Sequence, residues 1–117
     1  MSRLLIVLLS SPTQFQNTET VVNFADAAVE LGHKVTIFCN IDGVYNLKAS
    51  QTLCDEGTPA AKIEQLIKKN VQVLACMESA RLRGIAKKEL IHGVQESSLA
   101  NLVELMEESD RVVAFKS

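Results

Sequence analysis

Three cysteines, Cys39, Cys54 and Cys76, are the residues of this 117-residue chain best suited to covalent chemistry. An odd count with no C-x-x-C pair is neither a disulfide framework, a zinc knuckle nor a dithiol motif. In a reducing cytosol the expectation is free thiols. Cys76 stands apart through its setting. The apolar run Val71-Gln72-Val73-Leu74-Ala75 leads into it, and a short helical pattern from Met77 to Arg83, closed by Gly84, leads away. That places the thiol at the C-terminal end of a buried strand and at the mouth of a helix, on the rim where open α/β sheets take ligands. Backbone N–H groups and the helix dipole favour a thiolate there. Arg81 and Arg83 are near enough to add positive potential, and Glu78 would oppose them. The plain alternative is a buried small hydrophobe, the usual role of a free cysteine.

Other chemistries fail on spacing. A tyrosine-phosphatase loop needs an arginine six positions after its cysteine, and position 82 is Leu. No histidine adjoins Cys76 to act as a base. The Ser10–Asn17 loop sits where nucleotide-binding folds hold phosphate, yet it contains no glycine and matches neither G-x-G-x-x-G nor the P-loop pattern. What it offers a ligand is the hydroxyls of Ser10 and Ser11. Asp42-Gly43-Val44-Tyr45-Asn46 is a turn signal, and Tyr45, the only tyrosine, is a candidate wall of the rim. His33 and His92 both fall in turns without carboxylates at metal-ligand spacing, so no metal and no cofactor are expected. Cys39 and Cys54 are candidates for a resolving thiol, against core and surface readings respectively. Glu104, Glu107 and Glu108 make a solvated helix face.

The elements that must position these residues are legible as periodic segments. Leu4 to Leu9 is a continuous apolar run, as expected of a strand buried on both faces. Val21, Val22, Ala25, Ala28 and Val29 recur at helical spacing, with Asn17 or Thr18 to cap the start and Gly32 to stop it. Val35–Cys39 is a β-branched second strand. Asn40–Gly43 turns the chain and Val44–Ser50 forms a short helix, followed by a polar loop over Gln51–Gly57. Thr58 and Pro59 open a second clear helix with Ala60, Ile63, Leu66 and Ile67 on one face, and Lys68 and Lys69 suit its C-terminal end. Ile91–Gln95 is a candidate fourth strand. Ser97 or Ser98 caps a last helix carrying Leu99, Leu102, Val103 and Met106, and Arg111–Phe115 is a final strand. Strands alternating with helices predict a parallel sheet covered on both sides. The loop after strand one, the Asn40–Tyr45 turn and Cys76 should then share one rim.

Composition narrows the class. One domain spanning 1–117 is expected at this length, with a core large enough to need no staple. With four Phe, one Tyr and no Trp, that core must be aliphatic. A net charge of −2 gives no basic stripe for direct nucleic-acid binding. The apolar N-terminal run is too short for a signal-peptide core or a membrane span, so the expectation is a cytoplasmic protein with no membrane partner.

Two segments resemble the DsrE/DsrF-like (TusD/DsrE) family of small sulfur-relay proteins. One is Gly43-Val44-Tyr45-Asn46 after the second strand. The other is Cys76 followed by Arg83-Gly84 and the aliphatic Ile85. Gly32-His33 and the alanine-rich first helix fit as well, so the resemblance runs through nearly the whole chain. It departs from TusD-like chains in the glycine-free loop after strand one. The resemblance implies an α/β/α sandwich with a mostly parallel five-stranded sheet, and homo-oligomers. It implies a persulfide on Cys76, received from a sulfur donor protein and passed to an acceptor protein, with Arg83 and Gly84 supporting the site. The chain would then be a sulfurtransferase subunit. The alternatives are a non-catalytic small-ligand or protein-binding assembly module of the same fold, and a flavin- or nucleotide-binding redox domain, against which the glycine-free loop argues.

Overall fold

The structure, a computed structural model, describes residues 2–11, 17–49 and 59–116. Cys54, the Gln51–Gly57 loop, Thr58 and the middle of the loop after the first strand lie outside the described residues. Five strands, β1 (Arg3–Leu8), β2 (Lys34–Cys39), β3 (Gln72–Cys76), β4 (Gln95–Ser97) and β5 (Arg111–Phe115), form one sheet in the order β4-β3-β2-β1-β5. Every pairing within this sheet is parallel, in keeping with the expected five-stranded parallel sheet. Among the described residues four α-helices lie in the connections: α1 (Asn17–Glu30), α2 (Pro59–Lys68), α3 (Met77–Leu82) and α4 (Leu99–Glu108).

The strand order decides which face each helix covers. The first four strands are laid down in one direction, and right-handed crossovers in one direction deposit helices on one face. Accordingly α1, α2 and α3 pack through Val21, Ala25, Ile63, Leu66 and Ala80 on Ile6, Leu8, Val35, Ile37, Val73 and Ala75. The step from β4 back to β5 reverses direction, and α4 crosses the opposite face. There Leu102 and Leu105 pack on Leu5, Val7, Phe38, Leu74 and Cys76. The result is the expected three-layer sandwich, with unequal outer layers. On α4 only Leu102 is buried, while Leu99, Val103 and Met106 are exposed.

Local chemistry explains the element ends. Ser98 is the N-cap of α4, its hydroxyl accepting from the Asn101 N–H at 3.3 Å. The segment after β2 is a 3-10 helix over Ile41–Leu47, earlier and tighter than the predicted Val44–Ser50 helix, because Asn40 caps it by accepting from the Ile41 N–H at 2.9 Å. The fourth strand is Gln95–Ser97 rather than Ile91–Gln95. Ile91 is buried, but as a loop residue whose N–H reaches the Leu47 carbonyl. A reciprocal pair closes the β1–β5 edge: Arg3 N–H donates to the Asp110 carboxylate at 2.7 Å, and Asp110 N–H donates to the Arg3 carbonyl at 2.8 Å. No helix among the described residues is long and apolar enough to cross a membrane.

Candidate functional site

The C-terminal ends of β1, β2 and β3 bring the predicted residues to one rim. Ser10 follows β1, Asn40 follows β2, and Cys76 ends β3 while serving as the N-cap of α3. Side chains absent from the sequence-based list hold these three ends together. Asn46 is fully buried, and its amide donates to the carbonyls of Ser10 at 2.8 Å and Gly43 at 2.9 Å. Its side-chain oxygen accepts from the Thr18 hydroxyl on α1. Asn46 thereby clamps the first loop, the 3-10 helix and α1. Ser10, itself buried, accepts through its hydroxyl from Asn17 at 2.8 Å.

A second clasp joins the 3-10 helix to α3. The Ser79 hydroxyl donates to Asn40 Oδ1 at 2.7 Å and accepts from the Ile41 N–H at 3.0 Å. Ile41 stands there with φ +53°, a left-handed conformation that is unusual for a β-branched residue. Its cost is offset by those two acceptors on one N–H. Gly43 is required by space alone. A Cβ built at that position would lie 1.9 Å from the Leu8 carbonyl oxygen, so the 3-10 helix can lie against the end of β1 only through a glycine.

Arg83 and Gly84 have local tasks. Arg83 Nε donates to Asp42 at 2.9 Å and its Nη1 to the Ser79 carbonyl at 3.2 Å, so its charge is committed to the 3-10 helix. Gly84, at φ +73°, ends α3 in a Schellman turn: its N–H reaches the Arg81 carbonyl and the N–H of Ile85 reaches that of Ala80. Arg81 points to solvent beside Glu78 at 3.9 Å. Tyr45 is half-buried against the α1–α2 core, and Ser11 is half-buried after Ser10.

Cys76 lies on the other face. Residues 72, 74 and 76 of β3 face α4, whereas 71, 73 and 75 face α1 and α2. The Cys76 side chain therefore packs with Leu102 and Leu74 and is 1% exposed. Ser97 is its register partner on β4, and Asn101 of α4 donates to the Ser97 hydroxyl at 2.6 Å. Cys39 pairs in register with Ala75, so its side chain lies among the α1–α2 core residues. Burial pushes the Cys39 thiol up to about 12. Cys39 and Cys76 are both free thiols on opposite faces of the sheet, and the core reading of Cys39 holds. Among the described residues no group of three or more His, Cys, Asp or Glu is placed to hold a metal ion.

The clamp residues were within reach of sequence reasoning. Asn46 belongs to the Gly43–Asn46 segment, and a polar residue between Val44 and Leu47 must find partners if buried. Asn40 and Ser79 carry no such signal, because their meeting depends on tertiary packing.

The comparisons with known proteins agree with this architecture. A TusD homolog of Vibrio vulnificus, described as a sulfurtransferase, is 31% identical over 97% of both chains. An uncharacterized protein of Methanopyrus kandleri is 30% identical over 94% of this chain and 91% of its own length. Among solved structures, the ychN protein of E. coli superposes with a TM-score of 0.84, covering 98% of this chain and all of the other at 23% identity. A protein of unknown function from Methanobacterium thermoautotrophicum gives 0.79 at 15% identity, over 98% of this chain and all of the other. At those identities the two structures speak for the fold alone. The DsrE/DsrF-like family matches residues 2–115 in one continuous stretch, and this chain belongs to that family.

Proposed function

We propose that this chain, acting as a single domain, is a cytoplasmic sulfur carrier in which Cys76 holds a persulfide between a donor protein and an acceptor protein. The observation that carries the reading is a free cysteine at the C-terminal end of β3, on the rim where the ends of three strands are clamped together, in a chain of this family. The likeness to a sulfurtransferase of the TusD type supports the same chemistry. The Cys76 thiolate attacks the outer sulfur of a donor persulfide. A new S–S bond forms to Cys76, the donor's S–S bond breaks, and the donor leaves as a thiolate. An acceptor thiolate then attacks the outer sulfur on Cys76, which departs as the thiolate. No net oxidation occurs, and neither metal nor cofactor is required. Arg83, Gly84, Gly43, Tyr45, Ser10 and Ser11 shape the rim. We expect homo-oligomers, and neither direct nucleic-acid contact nor a membrane partner.

The test is intact mass spectrometry after exposure to a persulfide donor, without reductant. Wild type should gain one sulfur that Cys76→Ser does not. Equal mass gains for the two proteins would sink the reading. A second reading, a non-catalytic binding or assembly module, is favoured by one observation: Cys76 is buried against Leu102. Alkylation of Cys76 no faster than that of Cys39 would support it.

A further inference from the structure

At the opposite end of the sheet, α1 and the turn that follows it carry an apolar stripe that the core uses only through Ala28. Phe24, Ala27, Ala28 and Leu31 fall at i, i+3, i+4 and i+7, so they line one face of the helix. Ala28 is buried, whereas Phe24 is 38% and Leu31 77% exposed. The stripe lies at the β5 edge of the sheet, which α1 meets where Phe24 stacks edge-on against Phe115 at 6.4 Å. Between this stripe and Leu4 lies a groove of about 290 Å³.

One end of the groove is polar and cationic. Arg111, His33 and Ser2 line it. Arg111 is the register partner of Leu4 in the neighbouring strand, so its side chain rises on the groove side directly beside the apolar floor. Among the described residues its guanidinium makes one bond, to a neutral group, the Asp110 carbonyl at 3.2 Å, and no ion pair. Neither the Asp110 carboxylate, which accepts from the Arg3 N–H at 2.7 Å, nor the Glu30 carboxylate, which faces Lys69 at 3.7 Å, lines the groove. His33 Nδ1 accepts from the Ser2 N–H at 3.2 Å, which leaves Nε2 as the donor of the neutral ring. An apolar trough closed by an unpaired guanidinium and an imidazole N–H is complementary to a carboxylate on an alkyl chain. Its volume of about 290 Å³ is at the lower end of small-molecule pockets.

We propose that this groove binds an amphipathic monocarboxylate, a medium-chain acyl anion whose head meets Arg111 and whose tail lies along Phe24, Ala27 and Leu31. The site is independent of Cys76, which lies at the other end of the strands and on the other face.

The test is calorimetric titration of the purified full chain with decanoate, decan-1-ol and acetate, below micellar concentrations, with sedimentation run alongside. Decanoate should bind saturably at one site per chain, about tenfold or more tighter than the alcohol, because a charge-assisted hydrogen bond distinguishes the two. Acetate should not bind. Arg111→Gln should erase the preference for the acid and leave weak binding of both chains. Ala27→Phe, on an exposed position of α1, should fill the groove and abolish binding with an unchanged melting temperature. Equal affinities for acid and alcohol, or an Arg111→Gln protein that binds as wild type, would overturn the proposal. So would absent binding in a protein whose self-association Ala27→Phe disrupts, since the groove would then be a subunit interface.

Discussion

Leu102 is the residue through which the burial of Cys76 can be measured. It is the one buried side chain of α4, 8% exposed, and it packs in the cluster that encloses Cys76. Leu102→Ala removes most of its side chain. Deeply buried leucines lose about 2–5 kcal/mol on this change, less where the surroundings collapse into the gap. Because α4 is otherwise lightly held, the low end applies, about 2 kcal/mol. If Cys76 reacts only when α4 lifts from the sheet, the open fraction and the labelling rate rise by the same factor, about 30-fold. The assay is pulsed alkylation with iodoacetamide, read by peptide mass so that each cysteine reports separately. Cys39 is the internal control, buried beneath α1 and α2 with its thiol pushed up to about 12. The expected pattern is slow labelling of Cys76 in wild type, accelerated about 30-fold in Leu102→Ala, with Cys39 protected in both. Wild-type labelling at the rate of an unfolded cysteine would refute the argument. So would equal acceleration of Cys39 and Cys76, which would mean that the whole chain unfolds rather than α4 alone.

Other outcomes follow from the clamps and from burial. Gly43→Ala puts a methyl into the Leu8 carbonyl and should cost about 3 kcal/mol or more in urea denaturation, because backbone rather than a side-chain tip must yield. Asn46→Ala strips partners from the Thr18 hydroxyl and from two carbonyls, and should cost about 3 kcal/mol in the same assay. Arg83→Met should lower stability by about 1 kcal/mol, while Arg81→Met, at a solvent-exposed pair, should leave the denaturation midpoint unchanged. Cys39 sets an alkaline limit. Its pKa rises from 9.0 to about 12 on folding, so the unfolded chain releases its proton first, and stability is lost as pH climbs above 9. Between pH 9 and 12 wild type should lose about 1.4 kcal/mol per pH unit more than Cys39→Ala, read as the difference between their denaturation curves.

Most of the architecture was legible because buried parallel strands are continuous apolar runs. Leu4–Leu9, Val35–Cys39 and Val71–Ala75 each match an observed strand to within a residue at either end. The fourth strand was misplaced for the converse reason. Gln95, Glu96 and Ser97 form a short edge strand with no apolar signal, while the apolar Ile91 and Val94 beside it belong to a loop. Strand order was not legible, since crossover length does not say on which side of β1 the last strand lands. At the site, the placement of Cys76 on the rim followed from its strand and helix. The side on which its sulfur lies did not, because two-residue alternation separates 72, 74 and 76 from 71, 73 and 75 without saying which set meets α4. Arg81 and Arg83 were read as neighbours of the sulfur from sequence distance. Packing instead turned one to solvent and gave the other to Asp42.

The reversal of direction between β4 and β5 also has a consequence for synthesis. Residues 2–97 hold four of the five strands and every helix on the α1 side, so as a nascent chain emerges they can pair and cover that face. The opposite face waits for residues 98–115, because α4 and the second edge strand both come last. Until they arrive, Leu5, Val7, Phe38, Leu74 and the Cys76 thiol face water together. Their greatest exposure to oxidants and to misassociation therefore falls in the interval before the chain's last strand docks.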